Sequence, residues 1–119
     1  MRNYKNYEVW HKAHGLVLFV YTEFLPSFPK SQQYDLASQM KKAAYSVPMN
    51  SAEGCGRHTD KDFVHLLDQA MGSLHEPEYI ALLSFELKYF SKDKYSEFQT
   101  MLVEGKAKLI NLIKSIPKD

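Results

Sequence analysis

The sequence predicts an all-α protein, an antiparallel up-down four-helix bundle forming one domain over residues 1–119. Three observations carry that prediction. Apolar residues recur at steps of three and four over four long segments, about 4–25, 32–53, 59–90 and 92–116. Breakers stand between the segments: Pro26 and Pro29, then Gly54 and Gly56, then the Ser91 turn. No alternating run, Asn-Gly turn or β-branched stretch competes as a strand. Connections this short favour antiparallel neighbours.

In the first segment Trp10, Ala13, Val17, Val20 or Tyr21, and Phe24 set the stripe, and Pro26 closes it. Leu16, Leu18 and Phe19 stand on the other sides. A helix apolar nearly all round must be covered nearly all round, so these three are the expected contact face of a homo-oligomer. Ser27 to Gln33 reads as a linker. The second helix has a core line of Leu36, Met40, Ala43, Val47, Asn50 and Gly54, with Lys41 and Lys42 off it in solvent. Pro48 within this helix costs roughly 3 kcal/mol relative to alanine and predicts a kink. Gly54 and Gly56 are expected to end the helix in the left-handed conformation.

Thr59 is placed to cap the third helix, with Asp62 three residues on. Phe63, Leu66 or Leu67, Ala70, Leu74, Ala81 and Phe85 form its stripe. Gly72 and Ser73 are small enough to admit a neighbouring helix, and Pro77 predicts a second kink. Ser91 to Lys94 caps the fourth helix. Tyr95, Phe98, Leu102, Gly105, Leu109, Leu112 and Ile116 then alternate by three and four like a coiled-coil seam, until Pro117.

A net charge of +1 gives no global attraction to nucleic acid or membrane. The charges are nevertheless uneven. Residues 1–58 carry seven Lys/Arg against four Asp/Glu, and 59–119 carry eight against ten, so a basic surface would be local and drawn mainly from the first half. The single cysteine cannot form an internal disulfide and fits a reducing compartment. The start, MRNYKNYEVWHK, does not read as a secretory signal, and the longest apolar run, Leu16 to Tyr21, is far short of a membrane span. The expectation is a cytoplasmic protein without a membrane partner.

Polar chemistry concentrates in Ser46 to Arg57, SVPMNSAEGCGR. Gln39, Ala43, Ser46, Asn50, Glu53 and Arg57 share one helical line that overlaps the apolar face. Asn50 and Glu53 are therefore expected to be partly buried, and buried polar groups need partners. The backbone freed by Pro48 and the loop from Gly54 to Arg57 would supply them, making the stretch a structural joint whose functional part narrows to Arg57 and its basic neighbours. The other reading is a recognition or catalytic site at the kink.

Candidate phosphate contacts are Arg2, Lys5, Lys12, Lys41, Lys42, Arg57 and Lys61; the ordinary fate of such residues is a solvated helix surface. No RRM or KH motif is present. Glu8 with His11 and Asp62 with His65 are carboxylate–x–x–histidine pairs at one end of an up-down bundle, the spacing di-iron bundles use. The second pair has Asp in place of Glu, and Glu53 is the only well-placed further carboxylate. Cys55 and His58 lack a third, orienting group. No catalytic residue, metal or cofactor is predicted.

SVPMNSAEGCGR, followed by DKDFVHLLDQAMGSLHEPE, resembles the signature of a family of small bacterial four-helix bundles. That family was first noticed as reading frames inside intervening sequences of large-subunit ribosomal RNA genes, and its members are often labelled as a ribosomal protein. NYKNYEVWHKAHGL is similar to the family's opening, Tyr/Phe–x–x–Leu–x–Val–Trp–x–x–Ala. Ser46, Pro48, Asn50, Ala52, Glu53, Gly54, Gly56 and Arg57 match the central motif. Phe63, Leu67, Ala70, Gly72, Ser73, Leu74 and Glu76 match the second. The chain departs at Ser51, where isoleucine is usual, at Pro77, and at Lys41-Lys42, where arginines are common and would grip phosphate better.

Related accessory proteins of diversity-generating retroelements are pentameric bundles that bind nucleic acid and a reverse transcriptase. The resemblance thus implies a homo-oligomer, a pentamer, with RNA or DNA and a reverse transcriptase as partners. The function expected is a non-enzymatic accessory or scaffold protein associated with nucleic acid, using Lys12, Lys41, Lys42, Arg57 and Lys61. The alternatives are a protein–protein interaction module without nucleic acid and, last, a metal-binding bundle enzyme.

Overall fold

The computed structural model describes residues 2–117. Its α-helices are α1 (Glu8–Phe19), α2 (Leu36–Cys55), α3 (Asp60–Ser73), α4 (His75–Glu86) and α5 (Lys92–Ser115). Only Leu74 separates α3 from α4, so the two make one broken rod in an all-α four-helix bundle measuring 48 × 24 × 20 Å. Among the described residues there is no strand, and no helix is long and apolar enough to cross a membrane. Ion pairs fix the antiparallel register of α1 and α5: Glu8 with Lys108 and Lys12 with Glu104, both at 3.1 Å. Phe85 stacks on Tyr95 at 4.5 Å and Lys106 meets Glu78 at 2.8 Å, setting α4 against α5 in the same sense.

The core stripe of α1 is Val9, Ala13, Leu16 and Val20, one residue round from the Trp10–Val17 line expected; Trp10 and Val17 are half-buried flanks. After Phe19 the chain makes one π turn, Val20–Phe24. Its wider winding lets Phe19, Val20 and Phe24 all turn inward, where Phe24 stacks on Phe90 at 3.9 Å and Phe19 lies 5.8 Å from Phe98. This corrects the proposed oligomer face. Leu16 (3% exposed) and Phe19 (8%) belong to the core of the single chain, and of the three residues only Leu18 (51%) is on the surface.

Helix α2 runs unbroken through Pro48, whose ring is buried. Its inner face takes in Met40, Ala43, Ala44, Val47, Ser51, Gly54 and Cys55, while Leu36 and Asn50 are half-buried. The expected left-handed glycine stop is absent: Gly54 is inside the helix and Gly56 has φ −83°. The last carbonyls are instead satisfied by a tightened turn, in which the Gly56 and Arg57 amides donate to Glu53 and Gly54, each at 3.0 Å.

Thr59 caps α3 as expected, its hydroxyl accepting from the Asp62 amide at 3.1 Å. The break in the third rod comes at Leu74, not at Pro77. Pro77 has no amide to give the Ser73 carbonyl, so the rod parts one turn upstream. The proline then sits in the first turn of α4, where amides lack intrahelical partners anyway. Gly72 does not mark a close approach: a Cβ there would meet nothing within 4 Å. Helix α4 ends in a Schellman turn, with the Tyr89 amide on the Ser84 carbonyl and the Lys88 amide on Phe85, both at 2.9 Å, and Lys88 at φ 68° where glycine is usual. The α5 seam is as read from the sequence, with Phe98, Leu102, Gly105, Leu109 and Ile116 buried and Tyr95 and Leu112 at its edges.

Candidate nucleic-acid interface and assembly face

The joint between α2 and α3 is built from side chains that bond backbone. Ser46 Oγ donates to the Ala43 carbonyl (2.8 Å), Asn50 Nδ2 to Ser46 (2.9 Å) and Ser51 Oγ to Val47 (3.1 Å). They reinforce carbonyls around the gap at Pro48; none bonds the Ala44 carbonyl, which lost the proline's amide. Glu53 departs from its expected role. It is exposed and pairs across one helical turn with Arg57 at 2.8 Å, because residue 53 falls on the outer side of the Gly54–Cys55 face. Gly54 supplies the close approach: a Cβ there would stand 3.0 Å from the Phe63 ring and 3.2 Å from Leu66 Cβ.

Arg2 locks this joint from outside. Its guanidinium donates to the Arg57 carbonyl at 2.8 Å, pairs with Asp60 and lies 4.4 Å over the Phe63 ring. Tyr7 approaches the same ring edge-on at 5.9 Å. Arg2, expected among the phosphate contacts, is therefore a clamp on the joint.

The candidate cations do not form one patch. Lys12 is engaged with Glu104, Arg57 with Glu53 and Arg2 with Asp60. Lys41, Lys42 and Lys61 have no ion-pair partner among the described residues. Lys61 opens α3 whereas Lys41 and Lys42 lie in the first half of α2, about 20 Å away along the bundle at 1.5 Å per residue. Among these candidates the unpaired charge thus sits at two separated places.

Among the described residues, apolar side chains stand exposed on two opposite faces. Between α1 and α2 an open groove of about 260 Å³ is lined by Trp10, His14, Val17, Tyr45, Pro48 and Met49. The Trp10 and His14 rings stack at 5.0 Å, and Met49 is 61% exposed. On the opposite side α4 and α5 present Tyr79, Leu82, Val103 and Ile110. The faces are opposite because α1 and α4 each pack on both α2 and α5. Tyr45 and Met49 escaped the sequence reading because they flank the Lys41-Lys42 side of α2; their i, i+4 spacing beside Pro48 was the available signal.

Residues 5–111 match the family described as 23S rRNA-intervening sequence protein. The chain belongs to that family. A solved protein of unknown function from the S23 ribosomal protein family of Bacteroides thetaiotaomicron superposes with a TM-score of 0.81. It is 20% identical, with 89% of this chain and 98% of that one covered, a likeness that speaks to fold alone. No curated protein matches.

In this chain the two motif segments are architectural. Ser46, Pro48, Asn50, Gly54 and Gly56 build the joint; Phe63, Leu67, Ala70 and Leu74 fill the core. Ser73 is half-buried at the rod's break, and Glu76 lies exposed in the first turn of α4, favourable to the helix dipole. Ser51, in the place usual for isoleucine, is buried with its hydroxyl turned onto the backbone.

The carboxylate–histidine pairs share one end of the bundle but do not converge. Glu8 is taken by Lys108, His11 contacts the Lys5 carbonyl at 2.7 Å and His65 faces Gln69 at 3.3 Å. Among the described residues no three His, Cys, Asp or Glu side chains could hold a metal together. Cys55 is buried, and burial pushes its thiol pKa up despite Arg2 nearby, the opposite of what a thiolate nucleophile needs.

Proposed function

We propose that the chain is a non-enzymatic, self-associating bundle that serves as an accessory or scaffold protein for RNA or DNA. The observation that carries self-association is the pair of unlike apolar faces on opposite sides of one small bundle. A face meeting a different face of the next copy makes a heterologous contact, and such contacts form a ring when the rotation from copy to copy closes. The pentamer implied by the family resemblance is one such ring. Repeating Lys42 and Lys61 around it would raise nucleic-acid avidity without new contacts. A reverse transcriptase, the protein partner implied by the same resemblance, would add to this assembly. A protein-interaction module without nucleic acid is the second reading, favoured by the paired state of Lys12 and Arg57.

Light scattering and RNA titration test both parts. The wild type should run at a multiple of 13.8 kDa, and the double variant Tyr45→Glu/Met49→Glu should fall to one chain while keeping its helical circular dichroism. RNA affinity should drop steeply between about 50 and about 200 mM salt and weaken in Lys42→Glu/Lys61→Glu. A monomeric wild type sinks the assembly; affinity indifferent to salt and to the charge reversals leaves the interaction module.

A further inference from the structure

The chain between the first two helices is folded over the end of the bundle. Leu25–Ser27 and Lys30–Gln32 each form a 3₁₀ turn, with Pro29 between them. Where these turns face the first two turns of α2 they leave a cleft of about 350 Å³. We infer that this cleft binds one nucleotide, with its base on the apolar floor and its phosphate between Lys30 and Lys41; for a base within a nucleic-acid strand, this rests on the accessory function proposed above.

The floor is made by Leu25, Phe28 and Ala37. Phe28 is fixed from behind by Phe90 at 4.9 Å and Tyr89 at 6.1 Å, so the surface is formed before any ligand arrives. Lys30 stands on the loop shore and Lys41, half-buried, on the helix shore. Neither has an ion-pair partner among the described residues, whereas Lys12, Lys106 and Lys108 all do. Gln33 and Ser38 also line the cleft, and their side chains make no hydrogen bond among the described residues.

An apolar floor, an amide, a hydroxyl and two unpaired ammoniums make a chemically mixed lining. A planar heterocycle carrying a phosphate uses all of it: the ring covers the floor, its edge meets Gln33 and Ser38, and the phosphate oxygens meet the lysines. An acidic side chain would meet the lysines and leave the floor bare. The volume lies at the small end of ligand pockets, which suits one nucleotide. A base paired in a duplex offers neither its face nor its pairing edge, so the cleft selects unpaired nucleotides, free or in a strand.

The test titrates wild type and Ser38→Phe, which fills the cleft from α2, with three probes: adenosine and uridine 5′-monophosphate, a 12-nucleotide single-stranded RNA, and its duplex. Binding is read by anisotropy and by amide shifts of residues 25–41. Lys30→Ala/Gln33→Ala, at two exposed positions, gives the same reading should Ser38→Phe fold poorly. The expectation is that single-strand or mononucleotide binding falls about tenfold or more in both variants, the scale of one lost base-stacking contact, with duplex binding unchanged. Mononucleotide binding that is lost on filling, with no binding of either RNA, assigns the cleft to free nucleotides and rejects the nucleic-acid function. RNA binding equal in wild type and both variants keeps that function and overturns the cleft. No binding of any probe to the wild type overturns both.

Discussion

Replacing Gly54 by alanine sets two opposed effects against each other. The glycine lies in the last turn of α2, so alanine should gain about 1 kcal/mol from helix propensity. The new methyl would stand 3.0 Å from Phe63 Cδ1, 3.2 Å from Leu66 Cβ and 3.4 Å from the Phe63 carbonyl oxygen. Carbon pairs settle at about 3.5–4.0 Å, so α3 must retreat by roughly half an ångström. Leu66 Cβ and the carbonyl move only with the backbone, and Phe63 is held by Arg2 on its ring. Overpacking of this kind costs about 1–3 kcal/mol, and Gly54→Ala should come out destabilised by about 1 kcal/mol. Gly72→Ala is the control. It carries the same propensity gain with nothing within 4 Å, so it should be stabilised by about 0.5–1 kcal/mol. Urea unfolding at fixed protein concentration measures both, and the midpoints should move in opposite directions. Equal midpoints for the two variants would refute the packing argument.

Two further outcomes follow from burial and charge. Leu16→Ala should cost about 2–5 kcal/mol and lower the melting temperature of the single chain, whereas Leu18→Ala should stay within about 0.5 kcal/mol; similar melts would return Leu16 to the surface. The hydrogen bond from Lys106 holds the Glu78 carboxyl below its ordinary 4.5, so the pair stabilises the fold above that value and its contribution disappears as pH falls through the depressed pKa. Glu78 is 41% exposed and screened, so the effect is under about 1 kcal/mol. Urea midpoints of wild type and Glu78→Gln should differ at neutral pH and converge as the pH falls through the depressed pKa, and parallel profiles would discount the pair.

Helix positions along α5, the Thr59 and Ser91 caps, and the fold class were legible because each depends on local chemistry or on a period kept over many turns. The α1 face was misread by one residue because Trp10 and Val17 are as apolar as Val9 and Leu16, and only packing separates them. Glu53 shares a helical line with Asn50, but a few tens of degrees decide between a half-buried amide and an exposed ion pair. The break at Leu74 was placed at Pro77 because a proline acts on the carbonyl four residues back. At the candidate interface, lysine identity was visible and lysine pairing was not. Glu104 and Lys12 are far apart in sequence and meet only through the antiparallel register.

The π turn at Val20–Phe24 has a consequence for comparing relatives. A turn closed by bonds from i to i+5 holds one residue more than an α turn, so it is equivalent to a single insertion within a helix. Upstream, Val9, Ala13 and Leu16 keep α-helical phase; downstream the helix gives way to a 3₁₀ turn at Leu25–Ser27 and extended backbone at Phe28. A relative lacking this turn would reach Leu25 with one residue fewer and its α1 face unchanged. An ungapped alignment carried past the first helix would then pair core positions beyond it with surface ones, and understate the likeness between two identical folds.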